Sequence, residues 1–265
     1  EETDKACITI RQLLCHRAGF PAWQPYYETL RTLPPPDRTR ALHTLLRDEL
    51  LHAPPDAQAL YSDLDFMVLQ AVVERRAGCR LDHWLQQAVY GPLGVRELFF
   101  VECGRPRPPK AFAATEDCPW RGYVLEGEVH DDNAFVLGGV AGHAGLFGTA
   151  AAVAHLLGLL WAALQGVTVA PPLERELLEV FVTRQAGSDW ALGFDTPAAQ
   201  SSSSGRFFPA RSIGHLGFTG TSFWMDLERG LAVVLLTNRV HPQRSNQRIR
   251  AFRPALHDAV LEALA

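Results

Sequence analysis

Near residue 190 the chain changes its apolar period, and this change limits the folds open to it. Upstream, apolar residues recur at helical spacing: Leu42, Leu45, Leu46 and Leu50 follow the Pro34-Pro35-Pro36 run, and Phe66, Met67, Leu69, Val72 and Val73 follow Ser62. Downstream, Ser212 to Phe218, Thr221 to Asp226 and Leu231 to Thr237 read as strands, with a turn at Leu227 to Gly230 and a shorter extended piece at Phe207 to Phe208. Helices gathered first and strands gathered last predict an α/β chain of the α+β kind, with an antiparallel sheet flanked by helices beside a mainly helical lobe. Residues 7–184 make up the expected helical lobe, and residues 185–265 the strands and a closing helix.

Punctuation sharpens these elements. Thr9 is placed to cap a short helix that stops at Gly19 and Pro21. Ser62, with Asp65 three residues on, predicts a capping box for a helix that Gly78 ends, and a shorter helix follows from Leu81 to Tyr90. Thr149 caps an apolar helix to Leu164, Pro171-Pro172 opens another to about Arg184, and Pro254 is expected in the first turn of the terminal helix. The run Leu231 to Leu236, apolar on both faces, is expected at the centre of its sheet. Residues 101–148 lack a sustained period and are rich in Gly and Pro, which predicts a long ordered loop region lining a site. Ser201 to Ser204 reads as a mobile loop tip.

Composition removes several function classes. The 25 Lys and Arg residues against 29 Asp and Glu give a net charge of −4, so there is no positive field to hold phosphates and nucleic acid is not an expected partner. Lys5 and Lys110 are the lysines of the chain, which leaves two candidates for any lysine chemistry. The most apolar stretches, Val136 to Phe147 and Ala150 to Leu164, are shorter than the roughly 20 residues of a membrane span. The opening Glu-Glu-Thr-Asp-Lys offers no signal peptide to read, and the compartment stays open. Five cysteines without CxxC spacing argue against both a disulfide framework and a thiolate zinc site.

Three constellations could carry chemistry. Tyr61-Ser62-Asp63 stands at a helix start, whose partial positive charge favours a phenolate, so Tyr61 could be a general base; it could equally be a staple residue packed on its own helix. His215-Leu216-Gly217-Phe218-Thr219-Gly220-Thr221 joins two strand patterns, and a glycine there fits either a ligand lying against the backbone or a simple bulge. Gly138 to Gly145, which includes Gly142 and His143, follows His130-Asp131-Asp132-Asn133. A metal held by His130, Asp131 and His143 is conceivable, but the spacing fits no ligand motif, and a pocket-shaping loop without metal or other cofactor is expected.

Taken in order, these segments resemble one family. Ile8 to Pro21 (Ile-Thr-Ile-Arg-Gln-Leu-Leu-Cys-His-Arg-Ala-Gly-Phe-Pro) is similar to the "ITIRxLLxHxSGLP" segment of the serine beta-lactamase-related proteins, which include class C beta-lactamases, penicillin-binding proteins and their esterase relatives. Tyr61-Ser62-Asp63 resembles the family's Tyr-x-Asn motif with Asp for Asn. His215-Leu216-Gly217 falls where Lys-Thr-Gly or His-Thr-Gly is expected, Gly127 to Thr149 resembles the active-site loop, and Thr221 to Asn238 the closing hairpin.

The resemblance implies acyl transfer to a serine, followed by hydrolysis of an ester, amide or beta-lactam. It makes Tyr61 a proton carrier and Asp63 a partner of substrate or of the family's lysine. His215 becomes the polar group of the third motif, and the Phe218 N–H one of two oxyanion donors, with Gly217, Thr219, Gly142 and His143 around the substrate. The family's first motif, Ser-x-x-Lys, is absent, since no serine here has a lysine three positions later. The expectation is therefore a fragment without its nucleophile, inactive alone and able to associate through the face that the missing segment would cover. Leu216 lacks the threonine hydroxyl that binds a beta-lactam carboxylate in the family, which favours an esterase or weak peptidase. The alternative is a noncatalytic peptidoglycan- or peptide-binding protein of the same fold.

Overall fold

A computed structural model describes residues 5–169 and 173–264. The helical lobe opens with α1 (Ile10–Leu14), α2 (Tyr26–Leu30), α3 (Pro35–Asp48) and α4 (Asp63–Ala77). Thr9 caps α1 in a full capping box with Gln12, and α4 ends on Gly78 at φ +69° in the left-handed region that glycine adopts freely. Leu13, Phe20, Tyr26, Leu30, Leu64 and Met67 are buried together as the core of this lobe. α5 (Leu81–Leu85) runs on as a π-helical turn from Gln86 to Tyr90, so the single helix expected there is two pieces.

The loop region of residues 101–148 and the residues just before it contain short elements that sequence periodicity is too brief to show. β1 (Leu98–Phe100) pairs antiparallel with β4 (Leu146–Gly148), β2 (Ala114–Cys118) pairs with β3 (Tyr123–Glu126), and α6 is the single turn Asp132–Val136. α7 (Ala150–Leu164) starts on its Thr149 cap, and α8 spans Arg175–Val182. The expected opening at Pro171-Pro172 lies outside the described residues.

β5 (Ser212–Leu216), β6 (Ser222–Asp226) and β7 (Leu231–Leu235) form an antiparallel sheet in that order, and α9 (Ile249–Ala263) closes the chain. Leu157, Leu160, Leu178 and Val182 of α7 and α8 pack with Ile213 and Met225 on one face, while Leu261 of α9 packs with Trp224 and Phe208 on the other. Among the described residues β7 pairs with β6 alone and stands at the edge of this sheet, not at the centre expected. Helices cover both of its faces, so both carry apolar residues, and that pattern reports covered faces without reporting hydrogen-bonded neighbours on both sides.

Four other expectations are corrected. Asp65 does not close a capping box, because the Ser62 N–H is taken by His16. Phe207 and Phe208 lie in a bend outside any strand. Pro254 is inside α9, the sixth of its residues, not in its first turn. The serine tract is tied down: Ser204 is fully buried and the Ser203 carbonyl accepts from His257 of α9 at 2.9 Å. No helix of the described residues is long and apolar enough to cross a membrane.

Candidate active site

The site begins at an unusual helix end. After α1 the Arg17 N–H returns to the Gln12 carbonyl at 2.8 Å and the His16 N–H to Leu13 at 3.3 Å, the Schellman pattern, whose left-handed residue is normally glycine. Here it is His16, at φ +56°. A left-handed non-glycine costs on the order of 1–2 kcal/mol, so the side chain must be needed where it is.

His16 is 2% exposed, and its Nδ1 meets two groups: the Ser62 N–H at 3.2 Å and Asp65 Oδ2 at 3.0 Å. A backbone N–H can only donate, so Nδ1 is the acceptor and the proton between His16 and Asp65 sits on the carboxyl. Burial drives both groups neutral in agreement with this geometry, raising Asp65 to about 8 and lowering His16 to about 4. The pair fastens the end of α1 to the start of α4. Ser62 completes the joint, its hydroxyl donating to the Pro21 carbonyl at 2.7 Å and accepting from the Leu64 N–H at 3.1 Å.

That joint presents Tyr61 at the lip of the cleft. Its hydroxyl donates to Asp63 Oδ1 at 2.9 Å. Across the cleft stands His215, on the β5 face it shares with Ile213, with ring centroids 6.2 Å from Tyr61. Trp190 lies between the two lobes, 5.9 Å from both Tyr61 and His215 and edge-on to His16 at 4.7 Å. Tyr61 and His215 thus belong to one cluster of ring contacts with Trp190, although they are 154 positions apart.

The electrostatics differ from a phenolate at a helix start. Burial first, and then the charge and hydrogen bond of Asp63, push the Tyr61 phenol well above its ordinary value. Asp63 itself is raised by burial. Together they outweigh the helix terminus, and Tyr61 holds its proton. Burial lowers His215 to about 4, so it is a neutral imidazole at neutral pH, with Nδ1 3.0 Å from the Leu216 carbonyl.

The glycine-rich loop reaches the Tyr61 side of the cleft. Gly142 donates its N–H to Gln70 Oε1 at 2.9 Å, and a Cβ there would overlap the Phe66 carbonyl, so this glycine serves the packing of the loop on α4. His143 Nε2 is 2.9 Å from Asp131 Oδ1, a bond that raises the His143 pKa against its burial and holds Asp131 low. His130 points elsewhere, to Glu116 at 3.1 Å, so His130, Asp131 and His143 do not converge. Among the described residues, the group that could hold a metal is instead Asp63, Asp131 and His143, whose ligand atoms lie within 4.8 Å of one another. An ion there would have to displace the bonds from Tyr61 to Asp63 and from His143 and the Ala134 N–H to Asp131.

On the third-motif side, Gly217 donates to the Thr221 carbonyl at 2.8 Å and closes the turn between β5 and β6. Phe218 is 62% exposed, its ring stacked with His130 at 5.7 Å and lying under the Arg239 guanidinium at 4.3 Å. Thr219 is half-buried in the same turn. Sequence reasoning gave Asp65 only a capping role, gave none to Trp190, Arg239 or Arg253, and quoted His16 only within a resemblance. Each acts through a partner far away in the chain, with no local spacing to betray it.

The family model described as Beta-lactamase matches residues 1–256. A protein of Escherichia coli (strain K12) described as "Putative D-alanyl-D-alanine carboxypeptidase" is 30% identical over 255 residues, covering 89% of this chain and 58% of that protein. The "N-acetylmuramyl-L-alanine amidase" of Bacillus subtilis (strain 168) is 29% identical over 259 residues, covering 88% and 56%. The chain thus spans somewhat over half the length of these relatives. Among solved structures, a beta-lactamase from Mycobacterium bovis superposes with a TM-score of 0.62 at 21% identity, over 96% of this chain and 74% of that one. A penicillin-binding protein from Bacillus halodurans gives 0.62 at 19%, over 97% and 74%. These two show a beta-lactamase/transpeptidase-like fold, and with the family model spanning nearly every residue, the chain belongs to the beta-lactamase family.

Proposed function

We propose that the cleft between α4 and β5 is a serine acyl-transfer site, hydrolysing an ester or amide through an acyl-serine. The observation that carries this reading is the Tyr61–Asp63 hydrogen bond facing a neutral His215 across one cleft. Tyr61 would relay the proton of the serine hydroxyl to the leaving group, Asp63 would hold Tyr61 and a cation beside it, and the Phe218 N–H would stabilise the oxyanion. The serine and its lysine are assigned to a Ser-x-x-Lys segment outside residues 1–265, because no serine within them has a lysine three positions on. A short-chain ester suits the site better than a beta-lactam, and a peptide with a terminal D-amino acid would be cut only weakly, since Leu216 offers no hydroxyl to the carboxylate that both of these carry.

Intact-mass spectrometry with a fluorophosphonate and with a beta-lactam tests this. The protein carrying its Ser-x-x-Lys segment should gain one adduct, and residues 1–265 alone should gain none, since losing the nucleophile costs on the order of a million-fold in turnover. An adduct on a serine within residues 1–265 would refute the assignment. Reversible retention of an unmodified peptide by the longer protein, without any adduct, would make it a binding protein.

A further inference from the structure

Five consecutive carbonyls of the turn between β5 and β6 are each held by a donor. Gly217 O accepts from Arg253 Nη2 at 2.7 Å and from the Gly220 N–H at 3.1 Å. Phe218 O accepts from Arg239 Nε at 2.8 Å, Thr219 O from the Arg239 N–H at 2.8 Å, and Gly220 O from the Thr237 hydroxyl at 2.6 Å. Thr221 O accepts from Arg253 Nη2 at 2.7 Å and from the Gly217 N–H at 2.8 Å. The side chain of residue 218 is fixed too, by His130 and by Arg239. The Phe218 N–H has no acceptor among the described residues.

The guanidinium of Arg253 therefore bonds to the carbonyl of the very peptide unit whose N–H belongs to Phe218. A trans peptide is planar, with C=O and N–H pointing in opposite directions, so fixing the carbonyl on the α9 side aims the N–H directly away from α9. A cation at the carbonyl end also polarises the unit and strengthens the N–H as a donor. Arg253 is 7% exposed, its Nε has no partner, and no carboxylate among the described residues lies within ion-pair distance of it. Its charge is thus uncompensated beside the Gly217 and Thr221 carbonyls that it binds. A buried arginine kept without a counter-ion is costly unless its field is used.

We infer that Arg253, seconded by Arg239, is a positioning residue for the oxyanion donor: it directs and polarises the Gly217–Phe218 peptide so that the Phe218 N–H is ready for the negative charge of the acyl-transfer transition state. This rests on the acyl-transfer reading above. Arg253 never touches substrate; it acts through the Gly217 carbonyl. Arg239 does the same for the next peptide, whose N–H is that of Thr219.

The test uses the full-length protein with a p-nitrophenyl ester, and selective 15N-phenylalanine labelling to follow the Phe218 amide. Arg253→Met should lower kcat by about tenfold to a hundredfold, part of the hundredfold or more that loss of a whole oxyanion donor costs, with KM within about threefold. Arg253→Lys should recover part of that loss, because it returns a cation to the Gly217 carbonyl. The Phe218 amide proton should move upfield in Arg253→Met. Thr237→Val also loosens the turn, but at the Gly220 carbonyl, and should lower Tm while costing less turnover than Arg253→Met and leaving the Phe218 amide in place. Turnover that falls in step with Tm in both variants, or a Phe218 amide that does not respond to Arg253→Met, overturns the inference. Absence of any ester turnover or adduct in the unmodified protein would sink the acyl-transfer reading instead, and the amide shift would still decide whether Arg253 governs this peptide.

Discussion

Replacing Asp65 by Asn should remove a specific pH dependence from the stability of this fold. His16 and Asp65 share one proton over a wide range: the folded pair binds its first proton at about 8 and its second at about 4. In the unfolded chain the same two groups bind at 6.5 and 3.8, their ordinary values. The acid-side affinities nearly coincide and contribute almost nothing. On the alkaline side the folded affinity is the higher, so the pair's contribution is fully present below about pH 6.5 and is lost as pH rises through 8. The gap of about 1.5 units corresponds to roughly 2 kcal/mol at 1.36 kcal/mol per unit. Asn keeps the shape and donates an amide N–H to His16 Nδ1 as the protonated carboxyl does, yet cannot ionise.

Urea titrations of the two proteins at pH 6.0 and 9.0 measure this. The unsubstituted protein should lose about 2.7 kcal/mol more than Asp65→Asn between the two conditions, because in Asp65→Asn the unfolded His16 still binds a proton at pH 6.0 that the buried, neutral His16 of the folded variant does not. Other groups, such as Asp195, which burial raises to about 7, are common to both proteins and cancel in the difference. Asp65→Ala, which leaves the joint short of one partner, should be less stable than Asp65→Asn at both pH values. Equal pH dependence in the unsubstituted protein and Asp65→Asn would show that the proton is not shared as the geometry requires.

Two further outcomes follow from the same joint and its neighbour. Ser62→Ala removes the cap of α4 and the bond to the Pro21 carbonyl, and should cost about 1–2 kcal/mol, read as a Tm lower by several degrees. Gly142→Ala forces a methyl against the Phe66 carbonyl on α4 and should cost about 1–3 kcal/mol by the same measurement, with no change in the pH dependence above.

The parts of this fold that sequence alone shows are those governed by neighbours in the chain. Thr9, Ser62 and Thr149 cap helices because a hydroxyl before a helical run has orphan N–H groups two or three residues away, and Gly78 ends α4 for an equally local reason. The β6–β7 hairpin follows from its turn. What escapes is set at long range. Nothing in the sequence says that Asp65 answers to His16 instead of to its own helix terminus, or that Trp190 fills the space between Tyr61 and His215. The position of Leu231 to Leu235 escapes for a related reason: apolar faces and backbone pairing are separate properties, and side-chain pattern records only the first.

Charge is divided across the cleft in a way that bears on the one substitution in the Tyr-x-Asn resemblance. At the α4 end stand Tyr61, Asp63 and Asp131, with His143 as the neighbouring base that partly offsets them. At the turn end stand Arg239 and Arg253. Tyr61 cannot accept a proton from a serine while Asp63 holds the phenol protonated, so the α4 end calls for a cation, the role that the resemblance gives to the lysine of Ser-x-x-Lys. Aspartate in place of asparagine strengthens the hold on that cation and makes Tyr61 more dependent on it. In a protein without a cation at this place, Asp63→Asn should bring the Tyr61 phenol down towards its ordinary value, because it removes both the charge and the accepting carboxylate that raise it. In the protein with its lysine, the same change should slow acylation, since the lysine loses its counter-charge. Titration of 13C-tyrosine resonances, with Tyr61 assigned by Tyr61→Phe, reads the first effect, and stopped-flow labelling by a fluorophosphonate reads the second. A Tyr61 resonance that titrates identically in the unsubstituted protein and in Asp63→Asn would mean that the carboxylate does not govern the phenol, and the assignment of Tyr61 as proton carrier would lose its electrostatic support.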